Sequence, residues 1–194
     1  MEVLLSITGK DFVLTATDAV FARSIVLMKQ GEDKSRELNK NTLMLYSGES
    51  GDTVNFAEYI QKNIKLYSIR HGLDMSPNAV AHFTRREMAD SLRTRDAYKV
   101  NVMVVGTDPK TSTPSIYWID HLSSMVELPF AAQGYASYFC MSTMDRYWKE
   151  GLTVEEAKSL MSKCIAELKV RFLANLPEFV FKIVDRDGIH LTTL

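Results

Sequence analysis

The sequence predicts an α+β fold in which antiparallel β-sheets are covered by helices. Two pairs of β-rich segments precede the first helical periodicity, and the later strands and helices come in runs rather than in strict βαβ alternation. A chain of 194 residues, 46% of them hydrophobic, can bury one large core, and its composition shows no break. We therefore predict a single domain spanning residues 1–194.

The first elements are two predicted β-hairpins. Residues 3–8 and 12–17 are rich in strand-forming side chains and are joined by a Gly-Lys-Asp turn. Residues 34–38 and 42–47 form a second pair, which is joined by an Asn-Lys-Asn turn. The chain is therefore expected to begin with paired strands.

A helix is predicted over residues 51–69, where apolar residues recur at steps of three and four, and it should end at Gly72. Its buried face is expected to carry Val54, Ala57, Ile60, Ile64 and Tyr67.

The second predicted helix begins at Ser76 and Pro77, an N-cap residue followed by proline at the first helical position. Its inward-facing residues are expected to be Val80, Phe83 and Leu92.

The second half of the chain repeats the change from strands to helices. The predicted strands span residues 100–105, 115–120, 125–128, 179–184 and 189–194. Residues 116–119 are apolar on both faces, which predicts a strand that is covered on both sides. Helices are predicted over residues 135–148 and 153–172, the second opening with a capping box at Thr153 and Glu156.

The charge balance does not favour binding to nucleic acid or to a membrane. Lys and Arg number 23 against 24 Asp and Glu, which gives a net charge of -1. Arginines in the second helix could form a basic surface, but acidic residues interleave with them, which favours a solvated or subunit-facing surface. These residues are Arg85, Arg86, Arg93 and Arg95, with Glu87, Asp90 and Asp96. The sequence shows neither a secretion signal nor a membrane-spanning apolar run, so we expect an intracellular protein.

Cys140 and Cys164, which lie in predicted helices without a partner at metal-ligand spacing, are expected to be reduced, buried thiols. The four histidines likewise show no metal spacing. We expect no metal and no cofactor.

The motifs within this order of elements resemble the β subunits of the proteasome 20S core particle. They are "VLTATDA", "DKSRELN", "SGESGD", "YKVNVMVVGTDP" and "VELPFAAQGYASYF", and the closing "FKIVDRDGI" also fits. The resemblance covers essentially the whole chain. It implies the N-terminal-nucleophile hydrolase fold, a four-layer αββα sandwich of two antiparallel sheets between helix layers. Within the family, "GDTVNFAEYIQKNIKLYSIRHG" and "VELPFAAQGY" are most similar to the beta type-4 subfamily, also called beta-2, whose members are counted as non-catalytic.

The resemblance also implies where a catalytic site would lie. In active members, removal of a propeptide exposes a threonine whose hydroxyl attacks the peptide carbonyl, with its own α-amino group as the base. Glu2 stands at that position, and it has no hydroxyl. Asp18 and Lys34 match the family's aspartate and lysine, and Gly48 matches the glycine whose N–H stabilises the oxyanion. Gln133, in a predicted loop, replaces a serine of active members.

We interpret Glu2, Asp18, Lys34 and Gly48 as remnants of a degenerate site with no catalytic residue. Asp18 and Lys34 can form a structural ion pair, and Gly48 can serve a turn. The Gly-Thr pair of the chain, Gly106-Thr107, falls in a predicted strand-to-turn segment, so we expect no cleavage that exposes a threonine.

The resemblance implies a structural subunit of the inner β ring. It would support neighbouring catalytic subunits in ATP/ubiquitin-dependent protein degradation, in the cytoplasm and nucleus. Its implied partners are beta type-3 and beta type-5 neighbours, a β subunit of the opposite ring and the α ring. Residues of the stretch 128–141 are expected at a loop-to-helix junction beside the adjacent catalytic subunit's substrate channel. Candidate interface residues are Tyr135, Tyr138, Phe139 and Trp148.

Two other hypotheses remain open. One is an active hydrolase that uses an unrecognised nucleophile such as Thr8, Thr15 or Thr17. The other is a stand-alone binding module of similar fold. Turnover by the isolated chain would favour the first, and a stable monomer with a ligand pocket would favour the second.

Overall fold

The two predicted N-terminal hairpins both form, but they lie in different sheets. The computed structural model describes residues 2–23, 26–174 and 176–194. Its strands are β1 (Val3–Thr8), β2 (Val13–Asp18), β3 (Val20–Arg23), β4 (Val26–Gln30), β5 (Ser35–Asn39), β6 (Thr42–Gly48), β7 (Val100–Thr107), β8 (Pro114–Ile119), β9 (Met125–Glu127), β10 (Phe130–Gly134), β11 (Phe179–Val184) and β12 (Ile189–Thr192). Its helices are α1 (Asp52–His71), α2 (Pro77–Ser91), α3 (Ser137–Tyr147) and α4 (Val154–Arg171). None of these described helices has the length and apolar character needed to span a bilayer.

Two five-stranded antiparallel sheets form the middle of the molecule. The first has the order β10-β1-β2-β11-β12 and the second the order β5-β6-β7-β8-β9. Their facing sides bury an apolar layer that includes Leu4, Leu45, Met103 and Ile116. Helices α3 and α4 cover the outer face of the first sheet, and α1 and α2 cover that of the second. The predicted αββα sandwich is confirmed.

Strand β8 is covered on both sides, as its apolar sequence predicts. Ile116 packs between the two sheets, whereas Tyr117 and Ile119 pack against the helices of the second sheet. The flanking strands β7 and β9 both pair with β8 in antiparallel register.

Helix α1 forms as predicted, but its buried face is rotated from the expected one. Ala57, Ile60 and Ile64 are buried, and Phe56 joins them with no exposed surface. Val54 is 36% exposed because it lies at the rim of a surface cleft, so its predicted burial is wrong. Tyr67 is only half-buried. The helix ends at Gly72, whose left-handed conformation lets its N–H donate to the Ser68 carbonyl at 2.8 Å.

Helix α2 begins where the sequence predicts. The Ser76 hydroxyl accepts a hydrogen bond from the Ala79 N–H at 3.3 Å, and Val80 is buried while Phe83 is half-buried. Leu92 is 42% exposed because it caps the end of the helix beyond its last packed turn, so its predicted burial is wrong. On the solvent side Arg86 lies 3.9 Å from Asp90, which fits a surface of mixed charge.

Helix α4 opens with the predicted capping box. The Thr153 hydroxyl accepts from the Glu156 N–H at 3.3 Å, and the Glu156 carboxylate accepts from the Thr153 N–H at 3.0 Å. A hydrogen bond from Lys149 at 2.6 Å, followed by the bond from the Thr153 N–H, lowers the pKa of Glu156 to about 2. The box therefore keeps its charged acceptor throughout the neutral range.

Two strand regions were not predicted. The first is the small antiparallel sheet of β3 and β4, in which all five residues of β4 are exposed. The second is β10, which pairs with β1 from Val3 opposite Gly134 to Ile7 opposite Phe130. The prediction of a loop around Gln133, and of a loop-to-helix junction that includes it, is therefore wrong: residues up to 134 form a strand. The Ala-Ala-Gln-Gly sequence of β10 has weak strand propensity, but its pairing with the buried strand β1 overrides that weakness.

Both cysteines are free and buried at the contact of α3 with α4, as predicted. The Cys140 thiol donates to the Cys164 carbonyl oxygen at 3.6 Å. A hydrogen bond with the Cys164 thiol and burial together raise the pKa of Cys140 well above its usual range, so this thiol stays protonated.

Thr153→Ala tests the capping box. It removes the hydroxyl that accepts from Glu156, and we expect it to cost about 1 kcal/mol of stability in the first turn of α4. Hydrogen–deuterium exchange of the natively purified protein should show faster exchange in peptides from residues 153–160. Thr193→Ala changes an exposed threonine near the C-terminus and should leave this rate unaltered. Equal rates in wild type and Thr153→Ala would contradict a stabilising cap.

Candidate functional site

The carboxylate of Asp18 is the centre of a buried polar cluster at one end of the two sheets. It has no exposed surface, and it lies at the end of β2 beside the beginning of β1. One oxygen accepts from the Val3 N–H at 2.6 Å, and the other accepts from the Lys34 Nζ at 2.5 Å and from the Val20 N–H at 3.4 Å. The cluster thus brings Asp18 and Lys34 together, as the family resemblance implies.

Lys34 is itself only 4% exposed, so its ion pair with Asp18 is a buried one. Removing both charges from water is costly, and their attraction offsets that cost only when the geometry is good and the remaining lone pairs are bonded. Here the carboxylate has its additional backbone N–H donors. The pair therefore joins the first sheet to the segment that leads into β5 of the second.

Glu2 reaches across to the second sheet. Its carboxylate Oε2 accepts a hydrogen bond from the Gly48 N–H at 2.8 Å, at the end of β6. Burial raises the pKa of the Glu2 carboxyl, while the Gly48 hydrogen bond and the charge of Lys34 oppose that rise. The group at the predicted nucleophile position is thus a half-buried carboxyl bound to the backbone donor that the resemblance assigns to the oxyanion.

Two glycines make this geometry possible. Gly48 has φ +142, and a Cβ there would lie 2.2 Å from the Lys99 carbonyl oxygen. Gly134 has φ +73, and a Cβ there would lie 2.1 Å from the carbonyl oxygen of Glu2. The role of Gly134 was not predicted, because a contact between the ends of β1 and β10 leaves no local pattern in the sequence.

A surface cleft of about 770 Å³ opens over Glu2, Lys34 and Gly48. Two of the acids that line it form ion pairs: Glu32 lies 2.5 Å from Lys29, and Glu49 lies 3.2 Å from Lys99. The other lining residues are Val20, Phe21, Ala22, Met28, Tyr46, Ser50, Thr53 and Val54. In the described parts of the chain, no cluster of potential ligands is suited to a metal ion.

Gln133 lies in β10 opposite Leu4 and is 4% exposed. It is not among the residues that line the cleft. Within residues 2–23, 26–174 and 176–194, neither atom of its side-chain amide has a protein partner. Among the described residues, Gln133 therefore makes no hydrogen bond to the Glu2 carboxylate.

The three alternative threonines are buried strand residues. The Thr8 hydroxyl donates to the Pro129 carbonyl at 2.7 Å, and the Thr15 hydroxyl donates to the Lys182 carbonyl at 3.1 Å. Thr17 is 2% exposed, and its hydroxyl has no partner among the described residues. None of the three lines the cleft. Thr107, which follows Gly106 in β7, is also buried, and it donates to the Val184 carbonyl at 3.0 Å.

The candidate interface residues divide into two pairs. Tyr135 and Tyr138 are 51% and 81% exposed. Phe139 is partly buried against Phe172, with a ring separation of 5.9 Å. Trp148 is partly buried too, and its indole N–H donates to the Thr8 carbonyl at 3.1 Å. Only the two tyrosines offer most of their side chains to a partner.

Comparison with known families places these features in context. Residues 3–184 match the family described as "Proteasome subunit". The chain belongs to this family. Its fold, and the match over nearly all of its length, confirm the resemblance that the sequence motifs carry.

Among individual relatives, this proteasome subunit is similar to proteins named beta type-4. It is 48% identical over 190 residues to the probable proteasome subunit beta type-4 of Schizosaccharomyces pombe, covering 98% of each chain. It is 43% identical over 190 residues to the beta type-4 subunit of Saccharomyces cerevisiae, covering 98% of this chain and 96% of that one. It is also 43% identical over 188 residues to the beta type-2-B subunit of Arabidopsis thaliana, with coverages of 97% and 94%. The predicted similarity to the type-4 subfamily is confirmed.

Gly134→Ala tests how tightly the chain is held at Glu2. Gly134 and Gly151 have nearly the same φ, +73 and +75, but a Cβ at Gly151 would meet nothing within 4 Å. Both alanines carry the cost of the left-handed conformation, roughly 1–2 kcal/mol. Only Gly134→Ala should also push β1 from β10 and accelerate hydrogen exchange across residues 3–8. Equal exchange in the two variants would show that the approach of Glu2 to Gly134 carries no constraint.

Lys34→Met tests the buried ion pair. It leaves the Asp18 carboxylate buried without its cation, which should destabilise the protein by roughly 3–5 kcal/mol. Lys62→Met removes the exposed partner of Glu58 and should cost less than about 1 kcal/mol. Urea-dependent hydrogen exchange of peptides from β2 and β5, in the natively purified protein, measures both. A Lys34→Met effect no larger than that of Lys62→Met would contradict a stabilising role for the pair.

Proposed function

We propose that this proteasome subunit is a non-catalytic, structural member of the inner β ring of the 20S core particle. The observation that carries the proposal is the Glu2 carboxylate, which stands at the nucleophile position and is bound to the Gly48 N–H at 2.8 Å. A carboxylate has no hydroxyl with which to form the ester intermediate of a threonine peptidase. The subunit contributes to ATP/ubiquitin-dependent protein degradation by helping to enclose the chamber and by supporting its catalytic neighbours.

The proposal includes the position of the subunit in the particle. Similarity to relatives named beta type-4 supports beta type-3 and beta type-5 neighbours, a β subunit of the opposite ring and the α ring as partners. Exposed aromatic residues such as Tyr135 and Tyr138 are suited to interfaces of this permanent kind. We further propose that the subunit works in the cytoplasm and nucleus, where such particles would act.

The threonine contacts support the structural function over an active hydrolase. Thr8 and Thr15 donate their hydroxyls to backbone carbonyls, and each is buried in a strand. A nucleophile needs an adjacent base and access to the substrate. Since neither residue lines the cleft, substrate in the cleft would not meet these hydroxyls.

One experiment tests both assembly and inactivity. The chain carries a C-terminal affinity tag, and the native mass and peptidase activity of its complex are measured in a lysate treated with a threonine-directed covalent inhibitor. We expect the tagged chain to elute with a barrel-sized, inhibitor-sensitive particle, and the intact mass of this chain to show no added inhibitor while its catalytic neighbours are labelled. Recovery only as a small species would contradict the structural function.

The labelled neighbours serve as the internal control for inhibitor access. Inhibitor mass on this chain would support the active-hydrolase hypothesis, and fragmentation would locate the labelled residue. Replacement of the labelled residue by valine would then have to abolish that label.

A further inference from the structure

We propose that Cys140 and Cys164 form a peroxide-sensitive dithiol, which closes to a disulfide and then clamps α3 onto α4. The two are the only cysteines of the chain, and each helix carries one of them. The oxidant is a hydroperoxide, of which hydrogen peroxide is the simplest. The inference goes beyond the proposed function, because it concerns a modification of the helix layer and not the cleft.

The two thiols are in contact across the helix pair. The Cys140 thiol lies 3.6 Å from the carbonyl oxygen of Cys164, and it also hydrogen-bonds to the Cys164 thiol. Both residues have no exposed surface and belong to the apolar cluster that α3 and α4 form over the first sheet. A disulfide needs Cα atoms within about 7 Å of each other and side chains that face each other. Formation of the bond should therefore need a small movement of the sulfurs and no new packing of the helices.

The environment of the two thiols gives them different roles. The hydrogen bond with Cys140 lowers the pKa of Cys164, although burial opposes this effect. The same hydrogen bond and burial raise the pKa of Cys140. Since the thiolate is the form that attacks an oxidant, Cys164 is the first thiol to react and Cys140 is the resolving thiol.

The reaction proceeds in two steps and balances with peroxide alone. The Cys164 thiolate attacks one oxygen of hydrogen peroxide, the O–O bond breaks, and the departing hydroxide takes up the thiol proton as water. The Cys140 sulfur then attacks the sulfenic sulfur, the S–O bond breaks, and the hydroxyl leaves with the Cys140 proton as a second water. The two thiols lose two electrons and two protons in total, and these reduce the peroxide to water.

Helix α3 is the element whose local opening would admit the oxidant. It has 11 residues, of which Cys140 and Met144 are buried, and its N-cap residue Ala136 provides no side-chain hydrogen bond to the first turn. Helix α4 has 18 residues, of which six are buried, and it begins with a capping box. Segments with few buried side chains open more often than the core does. Opening of α3 exposes both thiols, and the disulfide then opposes further opening.

The test uses the natively purified protein in its complex, with hydrogen peroxide as the probe. After treatment, free thiols are alkylated during denaturation and the chain is digested with trypsin, which cleaves after Arg146 and Lys163 and so separates the two cysteines. We expect a cross-linked pair of peptides, lighter by two hydrogens than their sum, that dithiothreitol separates. Hydrogen exchange of residues 137–147 should become roughly tenfold slower or more in the oxidised protein, because the cross-link restricts opening.

Two matched variants assign the roles of the thiols. In Cys140→Ala, dimedone should trap Cys164 as its sulfenic acid, because no resolving thiol is present. In Cys164→Ala, Cys140 should remain a thiol under the same treatment. This second variant is also the control for oxidation of Met141, Met144 and Met161, which lie on the same helices. Its α3 exchange should not become slower with peroxide.

The remaining outcomes overturn the inference. Reduced cysteines after treatment of wild type, a sulfinic acid at Cys164 without a cross-link, or a disulfide to another chain would each show that the pair is not a closing dithiol. A cross-link that leaves α3 exchange unchanged would show that it is not a clamp. Comparison of treated with untreated wild type decides these points even if a variant fails to enter the complex. None of these results bears on inhibitor labelling, so the proposed function is tested separately.

Discussion

The buried carboxylate of Asp18 is the interaction on which the cleft depends. It accepts from the Val3 N–H at 2.6 Å and from Lys34 at 2.5 Å, so one side chain fixes the beginning of β1 and the segment before β5. These belong to different sheets. A buried carboxylate is tolerated only with a cation or several N–H donors, and Asp18 has both. Without it, the sheets would still share an apolar layer, but the beginning of β1 and the segment before β5 would lose the side chain that links them.

A second buried lysine, on the neighbouring strand of the first sheet, binds the same segment. Lys182 of β11 donates to the Asp33 carboxylate at 2.6 Å and to the Ser35 hydroxyl at 2.7 Å. Lys34 lies between these two residues and donates to Asp18. Two strands of the first sheet thus hold three consecutive residues that lead into the second. On the proposed function, this accounts for the Asp18–Lys34 pair, because the pair makes a structural connection that needs no catalytic role.

Local chemistry made most of the elements predictable, whereas the unpredicted parts depend on contacts distant in sequence. The Thr153 capping box and the Gly72 helix end are complete within a few residues, so they can be recognised in the sequence. Strand β10 lacks strand propensity and exists because it pairs with β1. At the site, the resemblance identified Asp18 and Lys34 as the matches to the family's aspartate and lysine. It did not predict the bond from Gly48 to Glu2, since that bond joins residues 46 positions apart on different sheets.

On the proposed function, the single residue Glu2 accounts for two losses. Covalent catalysis by this fold needs a nucleophile and an N–H donor for the negative charge that develops in the transition state. A carboxylate only accepts hydrogen bonds, so at this position it cannot supply a hydroxyl and it also occupies the Gly48 donor. A small residue such as alanine would remove the nucleophile but leave that donor free to bind peptide carbonyl groups. Glutamate is therefore suited to a subunit that borders a proteolytic chamber, because it keeps the cleft structurally intact while occupying the group through which the cleft would bind a carbonyl.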